Sequence, residues 1–325
     1  MQAVTDRLDL SGRDLRHRNL ARAQWRCVDL RDADLSCADL ERVDAEEAEL
    51  RNALLIDARL DNACFVHAVF DNAVMHGCIA RGADFSYASL NECDLARGDF
   101  HGARFSDARL NNADLEAANL GGCDLRNCVL EGVNLSFAQL VDANLQGADL
   151  TGANLTSANL CGAKLDDANL SHANLTKAIA SGASFERTRL DALTATLADL
   201  SSCRFSQASA SYANLDRATL RGSVLEGVEA SDASFEFADL RELIIVDCRF
   251  ERTSFVGSAF KSSTAEATAF DAADFFWSEL AALTLTRCTT AGARFPERVE
   301  IAFAPAHTST PGLSVVPLYR RHSID

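Results

Sequence analysis

Proline is almost missing from this chain: there are four in 325 residues (Pro296, Pro305, Pro311 and Pro317), and none before residue 296. A stretch that long without a fixed-φ residue lacking an N–H has no built-in interruption to backbone hydrogen bonding, so the proline boundary marks a change of organisation. Lysine is scarce as well, and acids outnumber basic residues 47 to 31 for a net charge of −16. That balance disfavours direct binding to nucleic acid. No apolar run has the length of a membrane-spanning helix and no secretory leader is evident, so a cytoplasmic protein with no membrane partner is expected. The eleven cysteines are odd in number and never spaced as CxxC, which fits reduced thiols rather than disulfides. P-loop, Rossmann, nucleophile-elbow and HExxH patterns are all missing. The seven histidines are scattered, and Cys64-x-x-His67 stands alone without a second ligand pair. The expectation is therefore no enzyme, no catalytic residue, no metal and no cofactor.

What the chain has is a period of five. From Leu10 to Phe295, 47 of 58 positions in one unbroken register are Leu or Phe, and Trp25, Met75 and Ile245 add three more large apolar residues. Seven others are Ala and the last is Thr290. Two residues earlier runs a second track of 33 Ala and seven Cys among its 58 positions. Helices bury every third or fourth residue and strands every second, so a strict period of five is neither. Residues two apart on an extended chain face one side. Each unit is then a short extended step with two residues inward, followed by a corner that resets the phase. Regular corners wind the chain into stacked coils, a β-solenoid. Phe65, Phe85 and Phe105, and likewise Phe235, Phe255, Phe275 and Phe295, lie 20 apart, which points to four units per coil with stacked rings.

Units such as Ala143-Asn144-Leu145-Gln146-Gly147 and Ala148-Asp149-Leu150-Thr151-Gly152 resemble the A(D/N)LXX repeats of the pentapeptide-repeat family. The resemblance implies an all-β fold, a right-handed quadrilateral parallel β-helix of about 14 coils, with a short non-repeat C-terminal segment. The expected division is residues 1–295 as β-helix and 296–325 as a cap or tail. The slot before the central residue is Asp or Asn in 24 of 58 units, a composition suited to bonding nearby backbone at turns. Asn134, Asn154 and Asn174 are expected to stack in one column. Arg13 and Arg18 fall on the small inward track, where an unpaired charge is costly, so the first coil is expected to be open, frayed or distorted. After Phe295 the segment holds Val299, Ile301, Phe303, Leu313, Val315, Val316, Leu318 and Tyr319, apolar enough to cover the last coil and to join two copies.

Charge is uneven: residues 32–150 carry 22 acids against eight Arg, and residues 1–31 carry seven Arg against four Asp. The densest acidic cluster is Asp39, Glu41, Asp44, Glu46, Glu47 and Glu49. Leu54, Ile56 and Val74 fall in outward slots, with Val66, Val69 and Ile79 nearby, and Phe276 and Trp277 are outward near the last coils. These are the candidate partner surfaces. Some members of the family are DNA mimics that engage type II topoisomerases, and the resemblance together with this acidity implies a mimic that binds DNA gyrase or topoisomerase IV and protects against gyrase poisons. Phe276, Trp277 and the apolar tail lead to the expectation of a homodimer joined at the C-terminal end. The alternative is a general protein-interaction scaffold with another partner.

Overall fold

The computed structural model describes residues 8–297, 302–304 and 314–315. The chain divides into two compact units, Met1–Ile179 and Ala180–Asp325. Both are parallel β-solenoids of stacked coils, and no helix occurs among the described residues. None there is long and apolar enough to cross a membrane.

In the first unit each coil takes 20 residues: Asp9 bridges Asp29, Asp14 bridges Asp34, Asn19 bridges Asp39 and Gln24 bridges Asp44, all parallel. Four bridged positions per step make the coil four-sided. The hydrogen bonding of one pentapeptide accounts for all five of its amides. The Leu35 N–H donates to Leu54 O (2.7 Å), Cys37 N–H to Ile56 O (2.8 Å) and Asp34 N–H to Arg13 O (2.9 Å), linking neighbouring coils. The Ala38 N–H donates to Leu35 O (2.9 Å) and closes the corner. The fifth amide, Ser36 N–H, donates to the side chain of Asp34 (3.0 Å). That bond is why Asp and Asn recur before the central residue: a buried backbone amide needs a partner, and a short acceptor two residues back supplies it. In some units where that slot is not Asx, a side chain one coil earlier substitutes, as Asp71 does for the Asn91 N–H (3.2 Å) and Asn91 for the Asn111 N–H (3.1 Å).

Each corner has a residue in the left-handed region, from Gly12 through Gly292 at every fifth position. Fourteen of these are Gly and 43 are not, although a left-handed L-residue costs roughly 1–2 kcal/mol. The amide of that same residue makes one of the coil-to-coil bonds, which holds it in place.

The second unit has the same step of 20 and adds continuous strand on one side: β1 (Ser184–Glu186), β2 (Arg204–Ser206), β3 (Val224–Glu226), β4 (Ile244–Val246), β5 (Thr264–Glu266) and β6 (Thr284–Thr286). They pair in parallel in sequence order through five steps. Continuous strand thus spans roughly five coils, fewer than the 14 or so counted from the sequence; single bridges carry the other stacking. Beyond β6, β7 (Ala302–Ala304) pairs parallel with it and β8 (Ser314–Val315) pairs antiparallel with β7. Ala302 sits opposite Thr284, so this segment returns after 18 residues instead of 20.

The core is a set of ladders. Leu35, Leu55, Leu115 and Leu145 are fully buried, each contributing on the order of 1.5–3 kcal/mol. The expected ring columns are present: Phe65–Phe85 and Phe85–Phe105 stack at 5.3 and 5.0 Å, and Phe235–Phe255, Phe255–Phe275 and Phe275–Phe295 at 5.3, 5.0 and 5.0 Å. Phe185–Phe205 at 4.7 Å and Phe250–Phe270 at 5.5 Å add columns not read from the sequence. At the start of the first unit, Leu10, Leu15, Leu20 and Trp25 are only half-buried, and Arg13 and Arg18 are exposed. That coil is open, as expected. It is not frayed or distorted, because its bridges and its corner bonds, such as Arg13 N–H to Leu10 O at 3.2 Å, are intact.

Candidate functional site

The acidic cluster wraps two corners of the first unit. Glu47, at a corner, is exposed; Asp39, Glu41, Asp44, Glu46 and Glu49 are half-buried. Several are matched by arginines one coil away. Arg59 reaches Asp39 (3.5 Å) and Glu41 (3.0 Å), and Arg26 reaches Glu46 (2.5 Å). Arg51 pairs with Glu49, and Arg42 lies 3.6 Å from Glu41. Clustering in sequence therefore overstates the local field: a 20-residue step puts each acid beside residues that a linear reading keeps apart. Among the described residues, the exposed acids elsewhere in this unit are Asp9, Asp14, Asp32, Asp57, Glu92, Asp107, Glu131, Asp142 and Asp167.

Leu54 and Val74 are bridged neighbours, and Ile56 lies on the same side. All three are half-buried, as are Val66, Val69 and Ile79. Phe276 and Trp277 stand apart. Their rings stack at 4.8 Å, the Arg294 guanidinium lies 3.9 Å over Phe276, and Trp277 is 71% exposed. The sequence reading missed Tyr87, Phe137, Leu197, Tyr212 and Phe237, all about half exposed or more. Every one occupies the left-handed corner slot. That slot is outward in every unit, so reading it at 20-residue spacing would have found them.

None of the eleven cysteines is in a disulfide. Of the seven on the inward track, six are buried and Cys288 is half-buried. Cys93, Cys123 and Cys128 donate to the carbonyls of Phe70, Phe100 and Phe105 at 3.0, 2.9 and 2.8 Å. Burial pushes the Cys93 and Cys123 thiols up to about 12 and raises Cys78 and Cys128 as well. Such thiols stay protonated and make poor nucleophiles. The sequence pair separates: Cys64 is half-buried, while His67 stacks on Tyr87 at 5.0 Å. Among the described residues no three His, Cys, Asp or Glu converge as metal ligands.

The family model for pentapeptide repeats matches in eight copies, including residues 9–44, 33–72, 48–86, 81–116, 118–156, 153–191 and 198–236. The chain belongs to the pentapeptide repeat family. Its repeats continue past the matched residues, since Asp274 still bridges Arg294. A comparison with curated proteins gives no match. Among solved structures of pentapeptide repeat proteins, HetL of the cyanobacterium Nostoc sp. strain PCC 7120, described as involved in heterocyst differentiation regulation, is 28% identical over 71% of this chain and 88% of its own, with a TM-score of 0.25. A protein of the Arabidopsis thaliana thylakoid lumen is 32% identical over 28% of this chain and 66% of its own, with a TM-score of 0.24. QnrB1, a plasmid-mediated fluoroquinolone resistance protein, is 15% identical over 48% of this chain and 89% of its own, with a TM-score of 0.35.

Proposed function

We propose that this pentapeptide repeat protein acts by binding other proteins, without chemistry of its own, and that its acidic first unit competes with duplex DNA for a type II topoisomerase, DNA gyrase or topoisomerase IV. The observation that carries this reading is linear charge. Residues 32–150 hold 22 acids and eight Arg on coils of 20 residues. At ~4.8 Å per coil that is one net negative charge per ~2 Å, close to the ~1.7 Å of duplex DNA. The ion pairs of Glu41 with Arg42 and Arg59 do not alter this balance, because both arginines are already counted. Arg26, which pairs with Glu46 from outside the stretch, lowers the net negative charge by one and leaves the spacing near ~2 Å. Many carboxylates are also fixed in place: Asp84, Asp94 and Asp114 each accept the N–H two residues on, at 3.0 Å. A homodimer joined through the C-terminal end belongs to the same proposal, supported by the apolar composition of residues 296–325 and by the pairing of β7 and β8 beyond β6.

The test is supercoiling by gyrase, with and without a gyrase poison. The wild-type protein is expected to inhibit or protect at micromolar concentration, less so as salt rises, because surface charge is screened beyond about 8 Å at physiological ionic strength. Two variants divide the surface. One neutralises Asp39, Glu41, Asp44, Glu46, Glu47 and Glu49. The other changes the exposed acids Glu92→Gln, Asp107→Asn, Glu131→Gln and Asp142→Asn. The second is expected to weaken the effect more, since the first set is partly matched by arginine. No effect of the wild-type protein would end the topoisomerase reading. A general interaction scaffold is the second reading, favoured by those arginine partners and by the exposed rings of the second unit.

A further inference from the structure

One corner of the second unit carries a repeated apolar feature. Leu197, Arg217, Phe237, Gly257 and Trp277 follow one another at 20-residue steps, all in the left-handed region. Leu197, Phe237 and Trp277 are 47%, 52% and 71% exposed. Bulky side chains are disfavoured at positive φ, and an exposed ring gains little from burial in return. Gly or Asn would suit the corner better. Side chains at positive φ are the rule at these corners; what sets this column apart is three large apolar side chains left exposed along one edge, the mark of a contact surface.

The ridge is also organised. A Cβ at Gly257 would lie 2.6 Å from two ring carbons of Phe237, so the ring rests directly on the glycine backbone. The Arg217 guanidinium lies over the Phe237 ring, 5.9 Å from its centroid, a cation–π contact. Apolar groups recur every second coil, about 9.6 Å apart. Seven residues of α-helix advance about 10.5 Å. The slots on either side of the ridge are the residues just before it and two after it. Those ten positions hold five acids, Asp199, Asp216, Glu236, Asp239 and Glu279, and no base; Asp239 is already paired with Arg241, which leaves four acids for a partner.

We propose that this corner is a docking ridge for a basic amphipathic helix of a partner protein, with an apolar residue at every seventh position against Leu197, Phe237 and Trp277 and with Lys or Arg facing the flanking acids. This deepens the reading of the chain as a protein-binding solenoid, and uses residues other than those of the acidic stretch 32–150.

The probe is a synthetic Lys-rich helical peptide of about 22 residues with Leu at heptad spacing, carrying a terminal fluorophore whose anisotropy is followed as the full chain is added. A peptide of the same composition with Leu at alternate positions and a Glu-for-Lys helix are the controls. The basic helix is expected to bind at least tenfold more tightly than either. Leu197→Asn, Phe237→Asn and Trp277→Asn together should weaken it by about 30-fold, the loss typical of interface anchors. Asn tolerates the left-handed corner, and circular dichroism checks that the variant is folded. Tyr212→Asn, at another corner, should leave binding unchanged. Absence of binding, equal binding of the alternating peptide, or unchanged binding by the triple variant would overturn the proposal. Self-association of the wild type abolished by the triple variant would also overturn it, by making the occupant a second copy. Because the triple variant keeps every acid of residues 32–150, its activity on gyrase reports on the topoisomerase reading independently.

Discussion

The hydroxyl of Ser223 donates to the carbonyl of Leu200, 23 residues back and one coil earlier, at 2.8 Å. It also accepts the Cys203 N–H at 3.0 Å. In most units that amide would close the corner on the preceding central carbonyl, as Ala198 N–H does on Ala195 O at 3.1 Å. Here a side chain from the next coil is inserted between the two. Ser263 does the same between Leu240 O (2.6 Å) and Leu243 N–H (3.1 Å). Small polar residues on the inward track are thus fastenings between coils as well as space-savers.

Ser223→Ala should leave the Cys203 N–H and one acceptor of Leu200 without this partner in a fully buried place, at a cost of about 1–3 kcal/mol. Ser223→Cys should cost less, since Cys93 and Cys123 make the corresponding thiol-to-carbonyl bond. Amide exchange at Cys203, measured by mass spectrometry, is the direct check. Equal protection in wild type and Ser223→Ala would contradict the fastening role.

The corners can be tested without any steric term at Gly102, where φ is +66° and an added Cβ meets nothing within 4 Å. Gly102→Asn should be nearly neutral, because Asn visits the left-handed region readily. Gly102→Val should destabilise by roughly 1–2 kcal/mol or more. Urea midpoints of the two variants give the comparison; indistinguishable midpoints would refute the conformational account.

The buried thiols set an alkaline limit. Burial pushes Cys93 and Cys123 up to about 12, whereas an unfolded cysteine titrates near ~8.5. A group whose folded pKa is raised adds its full stability below the unfolded pKa and loses it as pH climbs toward the folded one. Stability should therefore fall between about pH 8.5 and 12, less steeply after Cys93→Ala and Cys123→Ala. In the native state a thiol reagent should modify exposed Cys27 and Cys37 quickly and the buried cysteines only on unfolding. Rapid native labelling of Cys128 would show that the coils open far more readily than their bonding suggests.

A chain ending at Phe295 lacks β7 and β8 and leaves the edge of β6 bare. Unpaired strand edges recruit other chains, so light scattering of this shortened protein should report monomer or aggregate, against a dimer for the full chain. A dimer that survives the truncation would place the interface elsewhere.

The architecture was legible because one rule is repeated without a break: the Leu/Phe slot is inward at Leu35, Leu145 and Phe275 alike. The ring columns followed from spacing, and so did the stacking of Asn154 on Asn134, whose side chains bond at 3.2 Å. Surfaces were less legible. Asp39 and Arg59 are 20 apart in sequence and 3.5 Å apart in space, so counting acids in a window misjudges what neutralises them. Phe237 and Trp277 belong to one edge only once the corner conformation is known, and a search for periodic apolar residues registers the buried track first. The inserted hydroxyl of Ser223 was hidden for a different reason: the inward slot accepts Ala, Cys, Ser and Thr by size, and which carbonyl each one meets is set by the stacking of the coils.

The 20-residue step has a consequence for how such a surface could be rewritten. Removing a single pentapeptide between Leu197 and Phe237 leaves every inward slot filled by a residue of the right kind, because the period of five is kept. It turns everything downstream by a quarter of a revolution. Leu197 would then face a different compass point from Phe237 and Trp277, with almost no change in what the interior contains. In this fold the orientation of a surface is a modular quantity, counted in fives for the interior and in twenties for the exterior, and a partner reading the exterior would notice a change to which the interior is indifferent.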